Sequence, residues 1–226
     1  MCYSVRTSVI SFTTAIISAI FAFSTRQYVI GILILFYSQM QLAEGIIWKG
    51  IDDNNIGLNK FGTAYGKYLL PTHPFAVGLG ILISAIVLGR SIGAKTVIPL
   101  IVGAIFYMVI VLGPYNAKYP NVTYPARKCS DRSCQSNENR LRWPFPHKWY
   151  LWGFILCIIF CGFFCRPVSA MLFAGLVFAI SFGICYLIFP YTVGSFWCIA
   201  AAFLAPLIVG VNYFIVKDLS NSEVAV

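Results

Sequence analysis

Polar and charged residues fall into short clusters along the chain, and between them run seven stretches that are almost wholly apolar. A helix needs about 20 apolar residues to cross the hydrocarbon core of a bilayer, and only helices and closed barrels satisfy every backbone hydrogen bond there. The stretches lie at Ser8–Phe23, Tyr28–Trp48, Tyr68–Leu88, Thr96–Gly113, Trp149–Cys165, Val168–Phe189 and Ser195–Val216. None alternates in the manner of a barrel strand. The pattern predicts an all-α, polytopic transmembrane helix bundle of seven spans, a single domain over residues 1–226 with its termini on opposite faces.

The junctions refine this outline. Thr25-Arg26-Gln27, Gly89 to Lys95 and Arg166-Pro167 are too short for anything but antiparallel neighbours. Ahead of the third stretch, Leu58-Asn59-Lys60-Phe61-Gly62 reads as an amphipathic lead-in, and Pro71 and Pro74 predict that the helix begins or kinks between them. The first stretch has a competing reading as a signal peptide, with Arg6 ahead of it and Ala22-Phe23-Ser24 as a small-residue cleavage site.

Composition supports a lipid surround: 59% of residues are hydrophobic and 10% charged, with 19 Phe, 13 Tyr and 5 Trp. Soluble domains carry about 25% charge. The net charge of +9 resides in the short connections, where it orients helices and meets lipid headgroups. No continuous basic face outside the membrane is long enough to make nucleic acid a partner.

One long connection, Pro114–Lys148, holds the sequon Asn121-Val122-Thr123 and the pair Cys129 and Cys134. Asn121 is therefore a candidate glycosylation site, and the cysteine pair is open to a disulfide, free thiols or a metal. These features favour an extracytoplasmic loop and a cytoplasmic carboxyl terminus. The charge count opposes them, since eleven of the 16 Lys and Arg fall on the loop's side of a seven-span topology. Cys2, on the same side, is a candidate terminal thiol or a partner for Cys129 or Cys134.

Chemistry-bearing constellations are sparse. Cys157, Cys161 and Cys165 share one stripe of the fifth span and read as small residues at a helix contact, as do Cys185 and Cys198. His73 and His147 alone cannot complete a multi-histidine zinc site, so no metal is assigned. No cofactor is expected either. The last span contains no lysine, which excludes a retinal Schiff base.

Several motifs do resemble a known group: Met1-Cys2-Tyr3-Ser4, Met40-Gln41-Leu42-Ala43-Glu44 leading to Ile47-Trp48-Lys49, and Leu58-Asn59-Lys60. Fainter echoes are Leu141-Arg142-Trp143-Pro144 and Phe196-Trp197-Cys198. Together they are similar to an uncharacterised family of small multi-pass membrane proteins beginning Met-Cys-Tyr/Trp-Ser, known from large DNA viruses, algae and bacteria. The resemblance implies a membrane location and a common fold, and no activity.

Function is expected to be non-enzymatic: a structural component of a viral or organellar membrane, or a receptor-like scaffold, given the shortage of catalytic groups. The alternative is a small-solute or ion transporter or channel, proton-coupled, because an ionisable residue within a span is a functional candidate. A membrane-embedded enzyme is the second alternative. Spans one to three show no internal repeat of spans five to seven. The expected site is a polar cluster of Glu44, Gln41 and His73, with Tyr65, Lys67 and Trp197 at its mouth. An imidazole beside a carboxylate titrates near neutral pH and suits proton-coupled binding. The competing reading has Glu44 snorkelling to water or pairing with Lys67 to lock two helices. Expected partners are membrane lipid and a small solute or ion.

Overall fold

The computed structural model describes residues 4–113, 122–125, 141–142, 148–165, 174–177, 180–181, 183–185, 187 and 200–214. Cys2, Asn121, Cys129, Cys134 and Trp197 lie outside these residues.

Helix α1 (Val5–Ser24) opens on Ser4, whose hydroxyl accepts from the Thr7 amide at 3.2 Å. Three helices close by one device, a residue of positive φ followed by an amide that reaches back five positions. Arg26 (φ 61°) ends α1, with the Gln27 amide on the Ala22 carbonyl at 2.8 Å. Asn54 (φ 52°) ends α2 (Tyr28–Asp52), with Asn55 on Gly50 at 2.7 Å. Gly89 (φ 63°) ends α4 (His73–Val87), with Arg90 on Ala85 at 2.8 Å.

Helix α3 (Ile56–Leu69) begins twelve residues before the expected start at Tyr68. Asn55 caps it by accepting from the Leu58 amide at 3.0 Å, so the expected lead-in forms its first turns. A 3-10 turn, Leu70–Thr72, then carries the chain into α4. Pro71 and Pro74 occupy opening positions of that turn and of α4, where a missing N–H is tolerated. Helix α5 (Ala94–Leu112) encloses Pro99, α6 covers Lys148–Gly162, and α7 covers Ala200–Phe214. Strands β1 (Tyr124–Pro125) and β2 (Leu141–Arg142) make a short antiparallel pair.

Among the described residues, four helical runs are long and apolar enough to cross a membrane: Val5–Ser24, Tyr28–Asp52, Ile56–Val87 and Ala94–Leu112. Their surfaces have the polarity a lipid solvent demands. Ile17, Ile86, Val109, Leu156, Leu187 and Phe214 are each more than half exposed, whereas Ser8, Ser11, Ser38, Gln41, Glu44, His73 and Asn212 are buried.

Small residues let the helices approach closely. Antiparallel α1 and α2 meet at Ser8 on Gly45 and Phe23 on Gly31. Helix α2 then runs antiparallel to the whole of α3 and α4, with Gly50 on Asn59 at one end and Gly80 on Val29 at the other. Between α4 and α5 the closeness is reciprocal. A Cβ on Gly78 would stand 2.5 Å from Leu100 Cα, and one on Gly103 would stand 2.5 Å from Phe75 Cα.

Helix α6 is antiparallel to α5, through Gly153 on Phe106 and the Cys161 thiol on the Pro99 carbonyl. Helix α7 is antiparallel to α2: Ala201 packs with Tyr37 and Met40, and Val209 meets Gln27. Taking the end that holds Val5, Asp52 and Thr123 as the upper one, α1, α3–α4, α6 and α7 descend while α2 and α5 ascend.

Candidate functional site

Tyr37, Gln41, Glu44 and Trp48 stand at i, i+4, i+7 and i+11, which aligns them on one face of α2. All four are buried, and Gln41 and Glu44 have no exposed surface. Removing a carboxylate and an amide from water costs several kcal/mol without compensation, so this face must be sheathed by other elements. The antiparallel register identifies them. Ser8 meets Gly45 from α1, which brings Ser11 to the level of Gln41, and Val5 packs with Trp48 and Ile47.

His73 arrives from the opposite side. It is fully buried, and its ring meets the ring of Tyr37 edge-on, with centroids 5.1 Å apart and planes at 75°. Its Nδ1–H donates to the Leu70 carbonyl at 2.8 Å. In the neutral imidazole that bond leaves the lone pair on Nε2. The 3-10 turn thus sets both the depth and the tautomer of the ring, which the two prolines alone do not reveal.

All three residues of the expected trio are buried, Gln41 and Glu44 on one stripe of α2 and His73 against Tyr37 at its lower end. Tyr65 donates its hydroxyl to Gln39 Oε1 at 3.0 Å, beside the stripe. Lys67 is only 7% exposed, on the face of α3 that turns to α2, and its ammonium lies 5.7 Å from the centroid of the Tyr68 ring. Below the stripe, Ala15, Leu33, Ile34, Tyr37, Ala201, Ala202 and Ala205 enclose a small apolar void.

Sequence reasoning missed Tyr37, Trp48 and Ser11. The first two share the helical spacing of Gln41 and Glu44 and were legible from it. Ser11 was not, because its level depends on the α1–α2 register. Its hydroxyl and Trp48 Nε1 have no hydrogen-bond partner among the described residues.

At the top of the bundle the chain beyond α5 returns to cover α2 and α3. Asn59 Nδ2 donates to the Thr123 carbonyl at 2.9 Å, and the Thr123 amide donates back to Asn59 Oδ1 at 3.0 Å. The Thr63 and Thr123 hydroxyls are 2.8 Å apart, and Leu141 is buried against Ile47 and Trp48. Cys161 of α6 donates to the Pro99 carbonyl of α5 at 3.6 Å, a contact between helices, and Cys165, just past α6, donates back to the Cys161 carbonyl at 3.9 Å.

No protein-family model matches the chain, and no curated protein or solved structure matches it. Its fold and buried polar residues define the class directly, as a helical integral membrane protein with an ionisable stripe inside its helix packing.

Proposed function

We propose that the chain is a seven-span membrane protein whose interior stripe binds a small solute or ion and couples that binding to a proton, as a transporter or channel does. One observation carries this reading: Glu44 and His73 both lack exposed surface, Glu44 on the α2 stripe with Gln41 and Tyr37, and His73 with its ring against Tyr37. Ionisable groups at such depth are expensive to keep, and their usual return is a binding or proton site. The open Ser11 hydroxyl and Trp48 N–H flank Glu44 and offer donors to a ligand's acceptor.

Helix direction supports seven crossings. Helices α6 and α7 both descend, which calls for one return crossing between them, and the helical residues at 174–177 and 183–185 fall in that interval. The sequon and cysteine pair favour an upper face outside and a carboxyl terminus in the cytoplasm. Membership of the family beginning Met-Cys-Tyr/Trp-Ser belongs to the same proposal. Its motif residues Gln41, Glu44, Trp48 and Asn59 are the ones the structure uses in the stripe and at its top.

A second reading, a structural membrane component, is favoured by the backbone-close α4–α5 packing, which suits a rigid body. Reconstitution separates the two. Proteoliposomes should show pH-gradient-dependent flux of at least one member of a solute and ion panel, and Glu44→Gln should abolish it while the melting temperature is retained. A flat response of the wild-type protein across the panel would sink the transport reading.

A further inference from the structure

At the lower end of the bundle, remote from Glu44 and His73, α1 finishes beside Gln27, which also meets Val209 of α7. The Gln27 amide nitrogen makes two hydrogen bonds, to Thr25 Oγ1 at 2.9 Å and to the Val209 carbonyl at 3.0 Å. The Thr25 hydroxyl spends its own proton on the Phe21 carbonyl at 2.8 Å, so it faces Gln27 as an acceptor. Two acceptors fix the –NH2 end of the amide and turn Oε1 the other way.

In an α-helix the carbonyl oxygen of residue i lies beside the side-chain base of residue i+3. The Gln27 amide, held on the Val209 carbonyl, therefore lies within about one helical turn of Asn212. That asparagine has no exposed surface, yet neither Oδ1 nor Nδ2 has a hydrogen-bond partner, and Gln27 Oε1 has none either. An unsatisfied buried amide costs about 1–3 kcal/mol, and here three such atoms gather at one junction. The arrangement is complete only with something bound.

We propose that this junction binds a monovalent alkali cation, coordinated by Asn212 Oδ1 and Gln27 Oε1. Both open oxygens are neutral amide acceptors. The carboxyl-terminal end of α1 lies there and adds the negative partial charge of its helix dipole. Divalent calcium sites draw on carboxylates, and neither side chain carries one, whereas neutral carbonyl-type oxygens and helix ends are what alkali ions accept in membrane proteins. The adjacent cation, Arg26, is exposed, so its charge is screened by water and headgroups.

The test is thermal unfolding of the purified full chain in detergent, titrated with LiCl, NaCl or KCl against N-methylglucamine chloride at constant ionic strength. One alkali ion should raise the melting temperature saturably while the organic cation does not. Asn212→Leu should abolish the rise. Asn212→Asp, which adds a charge at the same position, should lower the half-saturating concentration by about tenfold. Asn59→Ser, at the upper end of the bundle, should leave the response unchanged, because it lies far from the junction. Equal melting in all salts, a response that survives Asn212→Leu, or an unaltered midpoint in Asn212→Asp would each overturn the proposal. A wild-type protein indifferent to salt and an Asn212→Leu variant stabilised in every salt would identify the occupant as an internal water.

Discussion

Asn59 and Thr123, 64 positions apart, exchange a reciprocal pair of hydrogen bonds in which the side-chain amide imitates a neighbouring strand. Both residues are buried, and Thr63 adds a hydroxyl to each, at 3.2 Å to Asn59 and 2.8 Å to Thr123. Asn59→Asp keeps the shape and the acceptor but cannot donate, so it leaves the Thr123 carbonyl facing a carboxylate. We expect it to destabilise the protein by about 2–3 kcal/mol, more than Asn59→Ser, in chemical unfolding monitored in detergent. Equal stability of Asn59→Asp and wild type would show that the clasp contributes nothing.

The α4–α5 contact predicts an asymmetry among glycines. Ala at Gly103 would press its methyl against the Phe75 backbone, which a side-chain rotation cannot relieve, so Gly103→Ala should lose about 1–3 kcal/mol. Gly210 meets nothing within 4 Å, and Gly210→Ala should be neutral or gain up to about 1 kcal/mol from helix propensity. Unfolding midpoints of the two variants, measured side by side, check the pair. A loss at Gly210 matching that at Gly103 would refute the packing account.

Arg26 holds a φ of 61°, a conformation that a residue with a Cβ adopts at a cost of about 1–2 kcal/mol. Arg26→Gly should relieve that cost and, after the greater chain entropy of glycine, stabilise by about 0.5 kcal/mol. Gly89 uses the same conformation at the end of α4, and Gly89→Ala should lose about 1 kcal/mol. Thermal melts showing both changes in the same direction would count against the shared closing device.

The spans themselves were legible because an apolar run of membrane length has one physical solution, and α1, α2 and α5 fall within a few residues of the expected bounds. The start of the third span was not. Asn59, Thr63 and Lys67 make Ile56–Leu69 look like an amphipathic surface turn, yet that polar face points inward, to α2 and Thr123. Polarity at helical spacing reports that one face differs from the other, and only the register says which faces the interior. Gln41, Glu44 and His73 were legible as ionisable or amide groups in apolar runs, whereas Gln27 and Asn212 acquire meaning only when α7 is placed beside the α1–α2 turn.

The two readings of Glu44 make opposite predictions for stability. If its carboxylate is held in the interior for binding, the fold bears the cost of that burial, and Glu44→Gln, equal in size and neutral, should leave stability unchanged or raise it. If Glu44 instead locks α2 to α3 through Lys67, whose side chain is buried on the facing helix, the same variant strands an ammonium and should lose about 3–5 kcal/mol. Lys67→Met, of similar length, should then lose a comparable amount, and the double variant should recover most of it, because removing both charges removes the stranded one. A four-member cycle of unfolding free energies measures this coupling directly. On the binding reading, Glu44→Gln matches or exceeds wild type and the two substitutions add to within about 0.5 kcal/mol. A larger coupling, with both single variants destabilised, would assign Glu44 to the architecture and leave the transport reading without its central residue.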